Sequence, residues 1–76
     1  MTSLNKMTPG QKGRVVGFKD DNKVCRRLFE LGLIPGKSIE YLRNAPLNDP
    51  MEIQIGSCCL SLRHEEASLV TIELED

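Results

Sequence analysis

Residues 51–62 read Met-Glu-Ile-Gln-Ile-Gly-Ser-Cys-Cys-Leu-Ser-Leu, and this stretch decides the fold. Apolar and polar residues alternate on both sides of Gly56-Ser57, a dipeptide typical of a two-residue type II′ turn. A hairpin closed by that turn pairs apolar residues with one another: Ile55 with Cys58, Ile53 with Leu60, and Met51 with Leu62. Because side chains alternate between the faces of a strand, the pattern predicts Cys58 in the core and Cys59 outside.

Upstream of the hairpin, residues 21–31 have the spacing of a short amphipathic helix. Its apolar residues cover one side of a helical wheel: Val24, Cys25, Leu28, Phe29 and Leu31. We expect Asp20 and Asp21 to cap the N-terminus of this helix and to place negative charge in its first turn. Gly32 is suited to a left-handed residue at the C-terminal end, and Pro35-Gly36 predicts a type II turn just beyond it.

Three further strands are predicted, at residues 13–18, at residues 38–44, and in the alternating segment that contains Val70, Ile72 and Leu74. The glycines of the first of these strands suggest curvature or the close approach of another backbone. Residues 64–68 have the pattern of a single helical turn. The chain therefore predicts one domain over residues 1–76, mainly β, with about five short strands closed into a compact sheet or small barrel.

Composition and charge narrow the classes of function. A chain of 76 residues, 39% hydrophobic and 28% charged, is globular but too small for a large enzyme core. Residues 1–43 hold nine Lys/Arg and four Asp/Glu, and residues 44–76 hold one and seven. The two halves attract, which favours internal pairing over a nucleic-acid-binding surface. No apolar run reaches the roughly 18 to 20 residues that a membrane span needs, so direct membrane insertion is not expected.

Catalytic chemistry has little support in the sequence. The chain has one histidine and no glycine-rich phosphate loop or nucleophile motif, so we expect no enzyme activity. Asp49 could serve as a general base, but an Asp that precedes a proline in a turn is more often a hydrogen-bond acceptor.

The cysteines raise the question of a metal site. Three cysteines, an odd number without a secretory leader, are typical of the reducing cytoplasm. Cys25 and Cys58 are expected to be buried, which leaves Cys59 and His64 as the metal candidates. Two ligands are too few for a closed site, which commonly has four, so we predict no cofactor unless two molecules share a metal.

Two stiff loops are the remaining distinctive feature. Residues 33–36 and 45–50 both combine prolines with apolar side chains on turns, and Asn48 is expected to adopt a left-handed conformation. Stiff loops lose little entropy on docking, which suits a surface that binds another protein. The alternative is that the prolines only fix the turns.

These segments together resemble a known family. The resemblance is carried by Pro9-Gly10, by Leu28-Phe29-Glu30-Leu31-Gly32-Leu33-Ile34-Pro35-Gly36, by Arg43-Asn44-Ala45-Pro46-Leu47-Asn48-Asp49-Pro50, and by Leu60-Ser61-Leu62-Arg63 with Glu66-Ala67. In this order and spacing they are similar to FeoA, the small cytoplasmic protein of bacterial ferrous iron transport, from about residue 4 to residue 73. The resemblance implies an SH3-like five-stranded antiparallel barrel with one inserted helix at about residues 21–31.

The resemblance also implies a function and a partner. FeoA-like proteins are expected to bind and modulate FeoB, a membrane ferrous-iron transporter with a cytosolic GTP-binding domain. The residues expected to contact the partner or to organise the loops that bind it are Leu33, Pro35, Gly36, Pro46, Leu47, Asp49, Pro50 and Arg63.

A rival hypothesis is a small transition-metal-binding or metal-sensing protein that uses Cys59 and His64 at a homodimer interface. A third, a nucleic-acid-binding barrel, has the least support.

Overall fold

The computed structural model describes residues 1–75, and Asp76, the end of the predicted domain, lies outside them. Its strands are β1 (Thr2–Ser3), β2 (Lys12–Phe18), β3 (Ser38–Asn44), β4 (Met51–Ile55), β5 (Cys58–Leu62) and β6 (Val70–Leu74). Its helices are α1 (Lys23–Glu30) and α2 (His64–Ala67). The strands form one antiparallel sheet in the order β1-β6-β2-β3-β4-β5. The mainly β prediction with an inserted helix is confirmed, and the structure adds the two-residue strand β1, which the sequence did not indicate.

The β4–β5 hairpin has the predicted register, with Ile55 opposite Cys58, Ile53 opposite Leu60 and Met51 opposite Leu62. Gly56 opens the turn with φ +58°. The prediction that Cys58 lies in the core is wrong, because this thiol is exposed. The burial of the side chains on this face decreases along β5 toward the turn: Leu62 is buried, Leu60 is partly buried and Cys58 is exposed.

Helix α1 begins at Lys23, two residues later than predicted. Asn22, not Asp20 or Asp21, is the N-cap, and its side-chain oxygen accepts a hydrogen bond from the backbone N–H of Cys25 at 2.9 Å. Asp20 instead accepts from the backbone N–H of Asp21 at 2.7 Å, outside the helix. An asparagine placed three residues before that N–H satisfies a helix donor that neither aspartate reaches.

Only part of the predicted apolar side of α1 is buried. Cys25 and Leu28 pack inward, whereas Phe29 and Leu31, which the helical wheel placed on the same side, are about half exposed. A helix of eight residues presents two turns to the sheet, so residues at the margin of its apolar stripe stay in contact with water.

The core lies beneath this helix and between the strands. It is mostly aliphatic, and its fully buried large side chains are Tyr41, Leu4, Leu28, Leu33, Met51, Ile53, Leu62, Ile72, Val15 and Val70. Strand β2 crosses the middle of the sheet, and its pairing with β6 shifts between Val15 and Gly17. A Cβ atom at Gly13 would lie 3.0 Å from the carbonyl oxygen of Glu73. The close backbone approach predicted for these glycines is therefore present at Gly13.

Ion pairs connect the basic and acidic halves of the chain, as expected from the charge division. Arg14 lies 3.9 Å from Glu75, Arg43 lies 2.7 Å from Glu52, and Arg27 on α1 pairs with Glu66 on α2. The arginines are all well exposed, so each pair adds little to stability, but together they neutralise part of both charged surfaces.

Within residues 1–75, neither helix has the length and apolar character that crossing a bilayer requires.

The contrast between Gly13 and Gly17 gives a test of the β2–β6 contact. Gly13→Ala forces a methyl group against the Glu73 carbonyl, and we expect it to lower the free energy of unfolding by about 1–3 kcal/mol. Gly17→Ala is the matched control, because no heavy atom other than those of Gly17 and its two chain neighbours lies within 4 Å of the position of its Cβ. Urea denaturation of both variants measures the difference, and equal effects would contradict the proposed close contact.

Candidate functional site

Residues 45–50, called here the 45–50 loop, connect β3 to β4 in a closed, hydrogen-bonded conformation. The N–H of Ala45 donates to the carbonyl of Pro50 at 2.9 Å, and the N–H of Asn48 donates to the carbonyl of Ala45 at 2.9 Å. Asn48 has φ +66°, as its residue type predicted. The loop is thus held at its ends and within its turn by backbone hydrogen bonds.

Leu47 is the unusual residue of this loop. Its φ is +72°, a left-handed conformation that costs a non-glycine residue roughly 1–2 kcal/mol. Its side chain is 98% exposed, so no burial within the chain offsets that cost. A large apolar side chain held outward by a closed loop is typical of a contact made with another molecule.

Asp49 fastens the loop to α2. One carboxylate oxygen, Oδ1, accepts hydrogen bonds from the backbone N–H of His64 at 3.0 Å and from its Nδ1 at 3.1 Å. The other, Oδ2, lies 3.6 Å from Nη1 of Arg63. The prediction that Asp49 is a hydrogen-bond acceptor is confirmed, although its donors come from a segment fourteen and fifteen residues away and not from its own turn.

His64 continues this network into the sheet. Its Nε2 lies 3.3 Å from the hydroxyl of Tyr41, and that hydroxyl donates to the side chain of Asn44. The Tyr41 ring is buried in the core. The chain of contacts therefore joins the end of β3, the 45–50 loop and the start of α2 through side chains that are only partly open to solvent.

The network changes the acid–base properties of its members. The hydrogen bonds from the side chain and then the backbone of His64 lower the pKa of Asp49, and the nearby charges of His64 and Arg63 act in the same direction. Burial raises the pKa of Tyr41 because its ionised form would be poorly solvated, and the hydrogen bond to Asn44 offsets part of that effect. Asp49 is therefore held as a carboxylate and Tyr41 as a neutral donor.

The second predicted loop, residues 33–36, is built differently. Gly32 has φ +116°, and the N–H of Leu33 donates to the carbonyl of Leu28 at 3.1 Å, which ends α1 in a Schellman motif. Lys37 then donates to the carbonyl of Ile34 at 3.0 Å across Pro35-Gly36, as a type II turn requires.

The two loops present different side chains and do not come together. Leu33 is fully buried in the core, so it anchors its loop, while Pro35 and Gly36 are exposed and Ile34, which the sequence analysis did not single out, is 39% exposed. The loops lie at opposite ends of β3, a strand of seven residues. They are separated by about 20 Å along that strand.

The structure also places the predicted metal candidates. Cys59 lies on β5 opposite Gln54, as predicted, and is exposed. Both ring nitrogens of His64 already have partners in Asp49 and Tyr41. Among residues 1–75, no group of three or more His, Cys, Asp or Glu side chains is arranged to hold a metal ion.

Asp49 and Arg63 were each predicted as contact residues, but the sequence did not predict that their side chains lie together beside His64. The tie through His64 and Tyr41 has no local signature, because its members are distant in sequence. The positive φ of Leu47 has none either, since leucine rarely adopts that conformation.

Comparison with known proteins is decisive for the family. The family model for the FeoA domain matches residues 2–74. The chain belongs to the FeoA domain family. It is 31% identical over 71 residues to an Fe(2+) transport protein A/Fe(2+) transporter FeoB fusion protein of Porphyromonas gingivalis. That match covers 93% of this chain and 8% of the fusion protein, so the chain corresponds to a small part of that relative.

Solved structures agree with this assignment. The solution structure of iron(II) transport protein A from Clostridium thermocellum has a TM-score of 0.88 at 32% identity, covering 96% of this chain and 45% of that one. The crystal structure of FeoA from Stenotrophomonas maltophilia, described as a prokaryotic SH3 domain protein complexed with zinc, has a TM-score of 0.85 at 25% identity. It covers 96% of this chain and 91% of that one. The expected SH3-like fold is confirmed.

Leu47 and Leu33 give a paired test of loop energetics. We expect Leu47→Gly to leave the free energy of unfolding unchanged or to raise it by up to about 1 kcal/mol, because it removes the left-handed strain and no buried contact. Leu33→Ala is the contrasting variant and should cost about 2–5 kcal/mol by opening the core. Chemical denaturation measures both, and a large loss of stability in Leu47→Gly would show that its side chain packs within the chain.

Asp49 gives a prediction about pH. Its pKa in the folded chain lies below its ordinary value of 3.8, so its contribution to stability is fully present above that pH and is lost as pH falls through the folded pKa. We expect Asp49→Asn to be less stable than the unchanged chain at pH values above about 5, with the difference in stability shrinking as the pH falls below 3.8 and through the lowered pKa of the folded chain.

Urea titrations across that pH range measure this difference. Glu65→Gln is the control, since it removes a neighbouring carboxylate that takes no part in the contacts of Asp49. A stability difference for Asp49→Asn that stays constant with pH would contradict the charged role of the carboxylate.

Proposed function

We propose that this chain is a non-enzymatic accessory protein of ferrous iron transport that binds an FeoB-type membrane transporter from the cytoplasmic side and modulates its activity or assembly. The observation that carries the proposal is the Porphyromonas gingivalis relative, whose name joins an Fe(2+) transport protein A and the transporter FeoB in one fusion protein. A covalent link keeps two domains at an effective concentration near the millimolar range. Modulation of the transporter by this domain also needs a surface through which the two make contact.

The 45–50 loop is the surface that we propose for this contact. Leu47 offers a fully exposed apolar side chain, and burying it in a partner would contribute about 1.5–3 kcal/mol. The hydrogen bonds of Asp49 to His64 fix the loop before binding. A loop already ordered loses little conformational entropy when it docks, so more of the burial energy remains as affinity.

The other predicted contact residues have supporting parts in this proposal. Pro46 and Pro50 restrict the backbone on either side of Leu47, and Arg63 presents an exposed guanidinium beside Asp49. At the far end of β3, Pro35 and Gly36 shape a second exposed turn that Leu33 anchors in the core. A partner that touches both loops must span about 20 Å, which a membrane transporter's cytosolic domain can do.

The rival function, metal binding through Cys59 and His64 at a dimer interface, has one supporting observation: the Stenotrophomonas maltophilia FeoA structure is described as a zinc complex. In this chain a metal bound by His64 would displace either Asp49 or Tyr41 from a ring nitrogen. Displacing Asp49 would release the 45–50 loop, so we favour the accessory role that keeps the network intact.

The test is a binding measurement with the host's FeoB-type transporter in lipid nanodiscs. We expect the chain to bind, and Leu47→Gly to weaken the dissociation constant by about 10- to 100-fold, as the loss of 1.5–3 kcal/mol of burial implies. Leu74→Ala is the matched control, because it shortens an exposed leucine on β6, which is two positions from β3 and three from β4 in the sheet. It should bind as the unchanged chain does.

Two results would contradict the proposal at different levels. Failure of the unchanged chain to bind the nanodisc-embedded transporter would overturn the accessory function. Equal affinity of Leu47→Gly and the unchanged chain would overturn the assignment of the contact to the 45–50 loop.

A further inference from the structure

Strand β5 lies at the edge of the sheet, and within residues 1–75 its only pairing partner is β4. Its five residues, Cys-Cys-Leu-Ser-Leu, include neither a charged residue nor a proline. Edge strands usually carry lysine, proline or a bulge that prevents another strand from pairing with them. Here the pairing with β4 is regular and none of these protective features is present.

The hairpin register determines which backbone groups face outward. A two-residue turn makes Ile55 and Cys58 a mutually hydrogen-bonded pair, and such pairs then alternate along the ladder. Cys58, Leu60 and Leu62 therefore direct their N–H and C=O groups toward β4. Cys59 and Ser61 direct theirs toward the open edge. Arg63, the next outward position, already donates its N–H to Oε1 of Glu66 at 3.1 Å.

We propose that β5 pairs with β5 of a second copy of this chain, antiparallel, about a two-fold axis at Leu60. In this register Cys59 of each copy lies opposite Ser61 of the other, so each of the two pairs contributes two backbone hydrogen bonds. All eight outward N–H and C=O groups of the two strands are then satisfied. A shift of the register by two residues would place Ser61 of each copy opposite Ser57 in the turn of the other. A shift in the opposite direction would place Cys59 of each copy opposite Arg63 of the other.

The side chains are compatible with this pairing. The two Leu60 side chains, each only partly buried in a single copy, face one another in a non-hydrogen-bonded pair, where Cβ atoms approach to about 4.5–5.5 Å. The exposed Cys58 comes to lie beside Leu62 of the other copy. Arg63 faces Ser57, so no like charges oppose one another along the pair.

A second copy fits this edge because the pattern is self-complementary. An antiparallel pair of identical strands is two-fold symmetric, and the two outward residues match each other only in that arrangement. The contact is small, below the roughly 1,200 Å² of a standard stable interface, so the dimer should be weak and dependent on concentration. No metal and no native thiol is needed to form it.

The experiment traps the pair with one engineered cysteine. In the Cys58→Ser/Cys59→Ser background with a metal chelator present, Leu60→Cys places two thiols opposite each other across the proposed axis. Under mild oxidation we expect it to form covalent dimers at least tenfold faster than Ser57→Cys in the same background. Ser57 is exposed in the same hairpin, but its two copies would be about 20 Å apart in this register.

Ser61→Pro tests the hydrogen bonding directly. Its N–H points away from β4, so the fold should tolerate proline there, while the pairing loses a donor. Added to the Leu60→Cys variant, it should reduce cross-linking to the Ser57→Cys rate. Without any engineered cysteine, sedimentation of the unchanged chain at rising concentration should show a monomer–dimer equilibrium that Ser61→Pro abolishes, which covers the case that Leu60→Cys fails to fold.

Equal cross-linking of Leu60→Cys and Ser57→Cys, or no effect of Ser61→Pro, would overturn the proposal. Sedimentation of the unchanged chain as a monomer at every concentration would also overturn it. The edge of β5 would then be free to pair with a strand from another protein. Because no transporter is present in these measurements, their outcome is independent of whether the chain binds FeoB.

Discussion

The carboxylate of Asp49 connects segments that are far apart in the sequence, and the exposed surface depends on it. Its hydrogen bonds to the N–H and Nδ1 of His64 join the 45–50 loop to α2, and His64 joins both to the buried Tyr41. Without this tie the loop would be closed only by its own two backbone hydrogen bonds. A left-handed leucine persists only where its surroundings determine the backbone, and Asp49 provides the connection to those surroundings.

The sequence predicted the hairpin, the strand positions and the two turns because each rests on a local pattern: a period of two, a glycine or a proline. The sequence predicted burial wrongly where burial depends on which other residues cover a side chain. Cys58 has the correct face but lies beyond the reach of the core, and Phe29 has the correct helical phase but lies at the margin of the buried stripe. Periodicity gives the direction of a side chain, whereas burial also requires a neighbour in that direction.

The two proposed surfaces meet at Arg63. Strand β5 ends at Leu62, and the next residue pairs with Asp49, while its N–H is held by Glu66. In the proposed dimer the Gly56-Ser57 turn of one copy therefore lies beside the anchor of the 45–50 loop in the other. Contacts at the edge and at the loop would therefore both lie next to Arg63, the residue that the two proposed surfaces share.

Leu33 and Leu47 show why the site was harder to predict than the fold. Both are leucines in proline-containing loops, and the sequence grouped them together as contact residues. Leu33 follows Gly32, whose left-handed backbone turns the chain inward, so the leucine packs in the core beneath α1. Leu47 itself takes the left-handed conformation, and its side chain is left in solvent. The burial of the two leucines therefore differs with the residue of the turn that has the positive φ: it is Gly32 before Leu33, but Leu47 itself in the turn where the N–H of Asn48 donates to the carbonyl of Ala45.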